Sequence, residues 1–84
     1  MKEYTITCTG LASAEELYAL LERTLDFPDS YSYDPDALYD CLVAISQETR
    51  ITIYGLDTLA FAEEFNSIFQ NAESDNFWLT INLM

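Results

Sequence analysis

Three short stretches of the chain alternate apolar and polar residues with a period of two, and helix-like segments separate them. In "KEYTITCT", Tyr4, Ile6 and Cys8 share one face and Thr5, Thr7 and Thr9 the other, and the stretch ends at Gly10. "RITIYG" sets Ile51 and Ile53 against Thr52 and Tyr54. "FWLTINLM" alternates Phe77, Leu79, Ile81 and Leu83 with Trp78, Thr80 and Asn82. Such alternation marks half-buried strands. Helices between consecutive strands demand crossover connections, which predict a parallel three-stranded sheet with right-handed crossovers. Parallel sheets are usually covered on both faces, yet Thr5, Thr7, Thr52, Thr80 and Asn82 would leave one face wet. The expectation is a small two-layer α/β domain, a single unit over residues 1–84.

The intervening segments carry helix signals. In "SAEELYALLERTL", Ser13 and Glu16 have capping-box spacing, and Leu17, Leu20, Leu21 and Leu25 form one apolar stripe. This helix must stop before Pro28, because the residue preceding a proline avoids helical geometry. "FPDSYSYDPD" reads as a polar loop, with Asp34 as the next N-cap and Pro35 at the first helical position. Leu38, Cys41, Leu42 and Ile45 would then point inward, leaving Asp36, Asp40 and Val43 on another face beside Tyr39. "TLAFAEEFNSIFQNA" predicts a third helix that buries Ala62, Phe65, Ile68, Phe69 and Ala72.

Half of the 84 residues are hydrophobic, enough for one modest core. Fifteen acids against three bases give a formal net charge of −12, which disfavours nucleic acid and anionic membranes and suits a basic partner. "MKEYTITCTG" has no apolar run long enough for a secretory signal, and no later stretch could span a bilayer, so a cytoplasmic location is the expectation. Cys8 and Cys41 lack metal-site spacing and the chain has no histidine, so two reduced structural thiols are expected and no cofactor.

The segment "DPDALYDCL" concentrates charge. Asp34 and Asp36 suit the positive end of a helix, but Asp40 lies a turn further in and repels Asp36 at i,i+4. A solvated helix start explains the first two and not the third. A carboxylate pair for acid–base catalysis lacks any accompanying nucleophile, histidine or phosphate-binding loop, so the chain is not read as an enzyme. Calcium is poorly served, since the spacing departs from an EF-hand loop. The fourth reading is a protein interface, with carboxylates interleaved among Tyr31, Tyr33 and Tyr39. Tyrosine gives contact area at low entropy cost, and carboxylates accept paired hydrogen bonds from arginine. Such a surface imitates a phosphate chain with its bases and suits the basic cleft of a nuclease.

"FPDSYSYDPDALYDCL" resembles the inhibitory segment of the barstar family, intracellular inhibitors of the ribonuclease barnase. Pro28, Asp29, Tyr31, Asp36, Ala37, Leu38, Asp40, Cys41 and Leu42 fit the family pattern, and Tyr39 stands where it has tryptophan. The order of elements also matches that family's small parallel α/β fold, so the resemblance covers nearly the whole chain. It implies an inhibitor whose helix and preceding loop plug an enzyme active site, as the immunity partner of a toxin ribonuclease would, and a monomer when free. Asp40 would fill the phosphate pocket, Asp36 would contact enzyme backbone and side chains, and Tyr39 would take the aromatic rim position.

Some positions depart from the family. Ser30 replaces a tyrosine that stacks on the enzyme's catalytic histidine, with Tyr31 and Tyr33 close enough to substitute. Ser32 replaces a glycine, Ala44 and Ile45 replace a glycine and a tryptophan of the contact surface, and Asn71 replaces a glutamate that pairs with a basic residue. The expected partner surface therefore comprises Tyr31, Tyr33, Asp36, Tyr39, Asp40, Val43, Ala44, Ile45 and Asn71, directed at a related enzyme or more weakly at the same one. The alternative is an acidic binding module that keeps the fold without inhibiting a ribonuclease.

Overall fold

The structure, a computed structural model, describes residues 1–28 and 31–84. Asp29 and Ser30, singled out in the loop, lie outside the described residues. In chain order the elements are β1 (Lys2–Thr7), α1 (Ala14–Leu25), α2 (Pro35–Val43), β2 (Thr49–Tyr54), a short 3-10 turn (Leu56–Thr58), α3 (Ala62–Asp75) and β3 (Leu79–Leu83). The strands form a parallel sheet in the order β1-β2-β3, with Tyr4 opposite Ile51 and Ile51 opposite Ile81.

This register stacks apolar side chains on one face. Ile6, Ile51, Ile53, Leu79 and Ile81 are buried there, beneath Leu17 and Leu21 of α1, Leu38 and Leu42 of α2, and Phe65, Phe69 and Ala72 of α3. Thr5, Thr7, Thr80 and Asn82 are exposed on the other face, as the alternation predicts. There Arg50 bonds Glu3 across the strands at 3.1 Å, an exposed pair that contributes little to stability. With one face packed and one wet, the fold has two layers.

Local signals set the helix boundaries. Ser13 caps α1 by accepting the Glu16 N–H, while the Glu16 carboxylate turns back to the Ala12 N–H. The helix closes at Asp26, which adopts left-handed geometry two residues before Pro28. Asp34 caps α2, its carboxylate accepting the Ala37 N–H at 2.8 Å, and Pro35 opens the helix as expected. After β2 the chain turns at Gly55, whose φ is 77°; a Cβ there would meet Thr9 Oγ1 at 2.6 Å. Conformation and close approach both require glycine at this position.

Two expectations shift. The third helix begins at Ala62 and not at Thr58, because Thr58 folds back on Gly55 through its N–H and its hydroxyl, closing the 3-10 turn. Phe77 does not join the inward face of β3. Asn76 C=O accepts the Leu79 N–H at 3.1 Å, so residues 76–79 form a tight turn and the alternation begins only at Leu79. Phe77 is consequently 92% exposed.

Cys8 is buried and Cys41 half-buried, and both are free thiols. Burial pushes the Cys8 thiol up; burial, then the Asp40 carboxylate, push Cys41 up. Both therefore stay protonated and unreactive near neutral pH, in keeping with structural roles.

Because the Asp34 carboxylate satisfies an otherwise orphaned donor, Asp34→Ala should cost about 1 kcal/mol in urea unfolding. An unchanged unfolding midpoint would show that the cap contributes nothing.

Candidate protein interface

Helix α2 presents the acidic stripe. Leu38 and Leu42 anchor its inner side in the core, each 0% exposed, which turns Asp36 and Asp40 outward. Both carboxylates are exposed, one turn apart, and among the described residues neither forms a salt bridge or accepts a side-chain hydrogen bond. Arg50 is engaged with Glu3 and does not neutralise Asp40. A structural role for Asp40 as one half of a buried ion pair is thereby removed.

The expected interface residues fall into three groups. Asp36, Tyr39, Asp40 and Val43 lie on α2, and Ala44 and Ile45 continue from its end, with Ala44 exposed and Tyr39, Val43 and Ile45 half-buried. Tyr33, 43% exposed, lies in the loop before α2, and its hydroxyl donates to Glu22 of α1 at 2.8 Å. Asn71 is exposed on α3, one turn before Asp75, whose carboxylate accepts the Tyr39 hydroxyl. Residues four apart share a helix face, so Asn71 lies on the side of α3 that meets α2.

Tyr31 is placed differently from its expected role. It is 8% exposed, its ring packs on Phe27 and Tyr33 at 5.0 and 5.6 Å, and it belongs to the core cluster. The apolar ring finds a site between the loop and the helices, and this burial leaves little surface for a partner. Of the two tyrosines expected to compensate for Ser30, only Tyr33 is presented.

Three features had no signal in the periodicity. Tyr18 is buried beside Phe65, with ring centroids 4.8 Å apart, and stacks at 6.2 Å on Tyr33. Asp75 extends the acidic surface to α3 through Tyr39. Asn76, 6% exposed, donates its side-chain amide to the carbonyls of Leu42, Val43 and Ile45 at 2.9, 3.4 and 3.0 Å and accepts the Trp78 N–H at 2.9 Å. The last carbonyls of a helix have no partner within it, and α2 has no basic residue in its last turn. One asparagine supplies the missing donors. Its short polar side chain could be found only from the tertiary arrangement.

The site can offer carboxylate acceptors and tyrosine rings to a basic surface. Among the described residues, no group of three or more acidic, cysteine or histidine side chains is arranged to hold a metal ion. No helix described is long and apolar enough to cross a membrane.

A family model described as barstar (barnase inhibitor) matches residues 1–79. The chain belongs to the barstar family. The match runs from β1 through α3 to the first residue of β3, so it takes in the whole acidic surface. A search of curated proteins finds no match. The three-stranded parallel sheet packed with helices is consistent with this family's fold.

The Asn76 clamp should be a main determinant of α2's end. Asn76→Ala removes the side-chain donor shared by the carbonyls of Leu42, Val43 and Ile45, of which Leu42 keeps the Ile45 N–H, and should cost about 1–3 kcal/mol in urea unfolding. A loss below a few tenths of a kcal/mol would mean that solvent replaces it.

Alkaline pH should loosen the aromatic cluster. Burial, then the charges of Glu64 and Asp34, push the Tyr18 hydroxyl from 10.0 up to about 12; burial above all raises Tyr31 as well. The folded state therefore holds protons that the unfolded chain has lost, and stability is full below pH 10 and falls as pH rises toward about 12. Circular dichroism during alkaline titration should show this fall, and Tyr18→Phe should move it to higher pH. An unmoved transition would assign the loss to other groups.

Proposed function

We propose that this barstar-family chain inhibits a small basic ribonuclease by laying α2 and the preceding loop over its active site. The observation that carries this reading is the pair Asp36 and Asp40, exposed one turn apart on the outer face of a core-anchored helix and unpaired among the described residues. A ribonuclease gathers cationic side chains around the scissile phosphate. A carboxylate on a rigid helix satisfies those donors and offers no bond to cleave.

Asp40 enters the phosphate site and Asp36 contacts the adjoining enzyme surface. Tyr33 and Tyr39 provide aromatic contact, Val43, Ala44 and Ile45 the apolar margin, and Asn71 a neutral polar edge. Tyr31 supports the loop from beneath. The net charge of −12 accelerates encounter with a basic enzyme, so association slows as salt rises.

The test is inhibition of barnase and other small basic ribonucleases in an RNA-cleavage assay. Asp40→Ala should weaken binding by about 2–5 kcal/mol, a range borrowed from interface charge pairs such as those of barnase–barstar and not obtained from this geometry. Asp57→Ala makes the same charge change on the 3-10 turn beyond the far end of β2 and should act only weakly. Equal potency of wild type and both variants would place the interface elsewhere. Failure to inhibit any such enzyme would favour a non-inhibitory acidic binding module.

A further inference from the structure

The largest anomaly outside the acidic stripe is an exposed aromatic pair. Phe77 is 92% exposed and Trp78 46% exposed, and their rings meet edge to face with centroids 5.5 Å apart. They occupy the two corners of the turn from Asn76 to Leu79. Neither belongs to the buried core or to the apolar side chains packed against it. A large apolar side chain left almost wholly in water gains nothing for the fold, and burying it against another molecule is favourable.

The pair is not free to wander. Asn76, immediately before it, is bonded on one side to the carbonyls of Leu42, Val43 and Ile45 and on the other to the Trp78 N–H. The Trp78 carbonyl also accepts the Thr49 N–H at 2.8 Å, which ties the turn to the start of β2. The aromatic corner is thus fixed against the C-terminal end of α2, the helix that carries Asp36 and Asp40. Ordering entropy for this contact is largely spent in folding, as a preformed binding surface requires.

Two occupants compete for such a patch, a second copy of the chain and a partner of different chemistry. Charge decides between them. Two chains of net charge −12 repel, whereas a basic protein is drawn to the same end of the molecule.

We infer that Phe77 and Trp78 form an apolar contact for the ribonuclease, continuous with the end of α2 and seated on the apolar margin of the enzyme's basic cleft. This rests on the ribonuclease reading and extends its surface to an element outside the loop and α2. Tyr31 turns inward and Ile45 is half-buried, and the turn adds aromatic area at the end of α2, where Asn76 bonds the Ile45 carbonyl.

Barnase is the probe. Phe77→Ala should leave the melting temperature unchanged, because the ring is solvated, and should weaken barnase binding about tenfold or more, mainly through faster dissociation. Trp78 is the only tryptophan, so fluorotryptophan incorporated into the chain reports on this corner alone; its fluorine resonance should shift on binding and lose its response to solvent isotope. Wild-type affinity in Phe77→Ala with a silent fluorine signal, while Asp40→Ala binds weakly, would overturn this contact and leave the ribonuclease reading intact. No binding by wild type to barnase or to any other small basic ribonuclease would overturn both. A concentration-dependent dimer in sedimentation that Phe77→Ala abolishes would assign the patch to self-association instead.

Discussion

Parallel pairing is the constraint on which the rest of the structure depends. Three strands running the same way cannot be joined by tight turns, so each connection must travel back along the sheet. Because threonines and asparagine keep one face wet, every returning helix packs on the other. The first crossover holds two helices and the second only one. Helix α2 buries only Leu38 and Leu42 fully and packs Ala37, Tyr39, Cys41 and Val43 partly against the core, which leaves Asp36 and Asp40 outside it. An outward acidic face follows from the topology before any partner is considered.

That placement makes the charge pattern inexpensive in the free protein. Asp36 and Asp40 repel each other by a few tenths of a kcal/mol at most in water, and Asp36 regains some of this from the helix N-terminus. Buried, the same two carboxylates would each need a cation. Arg50 is already matched with Glu3 on the opposite face of the sheet. The molecule therefore keeps its acids where solvent screens them, and under the proposed function a basic partner supplies the counter-charge.

Elements with a strong local signal were legible in the sequence. The N-caps at Ser13 and Asp34, the alternation in β1 and β2 and the apolar stripes of α1 and α3 each depend on residues near one another in the chain, and each appears where expected. Tyr31 and Phe77 were misplaced for a common reason. Polarity assigns a side to an aromatic residue only inside a regular element, and both lie in turns or loops, where tertiary packing decides. Thus Tyr31, in a polar loop, fills a gap against Phe27, while Phe77, in an apolar run, is turned out by the Asn76–Leu79 hydrogen bond. Asn76 itself could not be anticipated, because its three carbonyl partners are more than thirty residues away.

The tyrosines add a second level of order. In the free protein the Tyr33 hydroxyl is held by Glu22 and that of Tyr39 by Asp75, whereas Asp36 and Asp40 are held by nothing among the described residues. Each tyrosine bond fastens part of the acidic surface to a neighbouring helix, the loop to α1 and α2 to α3. The aromatic hydroxyl bonds thus act as struts, and the free carboxylates between them are the groups with unspent hydrogen-bonding capacity. The carboxylate partners first, and burial second, raise the hydroxyls' cost of ionising, which keeps Tyr33 and Tyr39 as donors across the physiological range. Under the proposed function, the enzyme meets carboxylates already aimed and need not break the struts to reach them. In the proposed complex, affinity depends on how well the enzyme's cations match the spacing of Asp36 and Asp40, one helical turn apart on a helix anchored by Leu38 and Leu42.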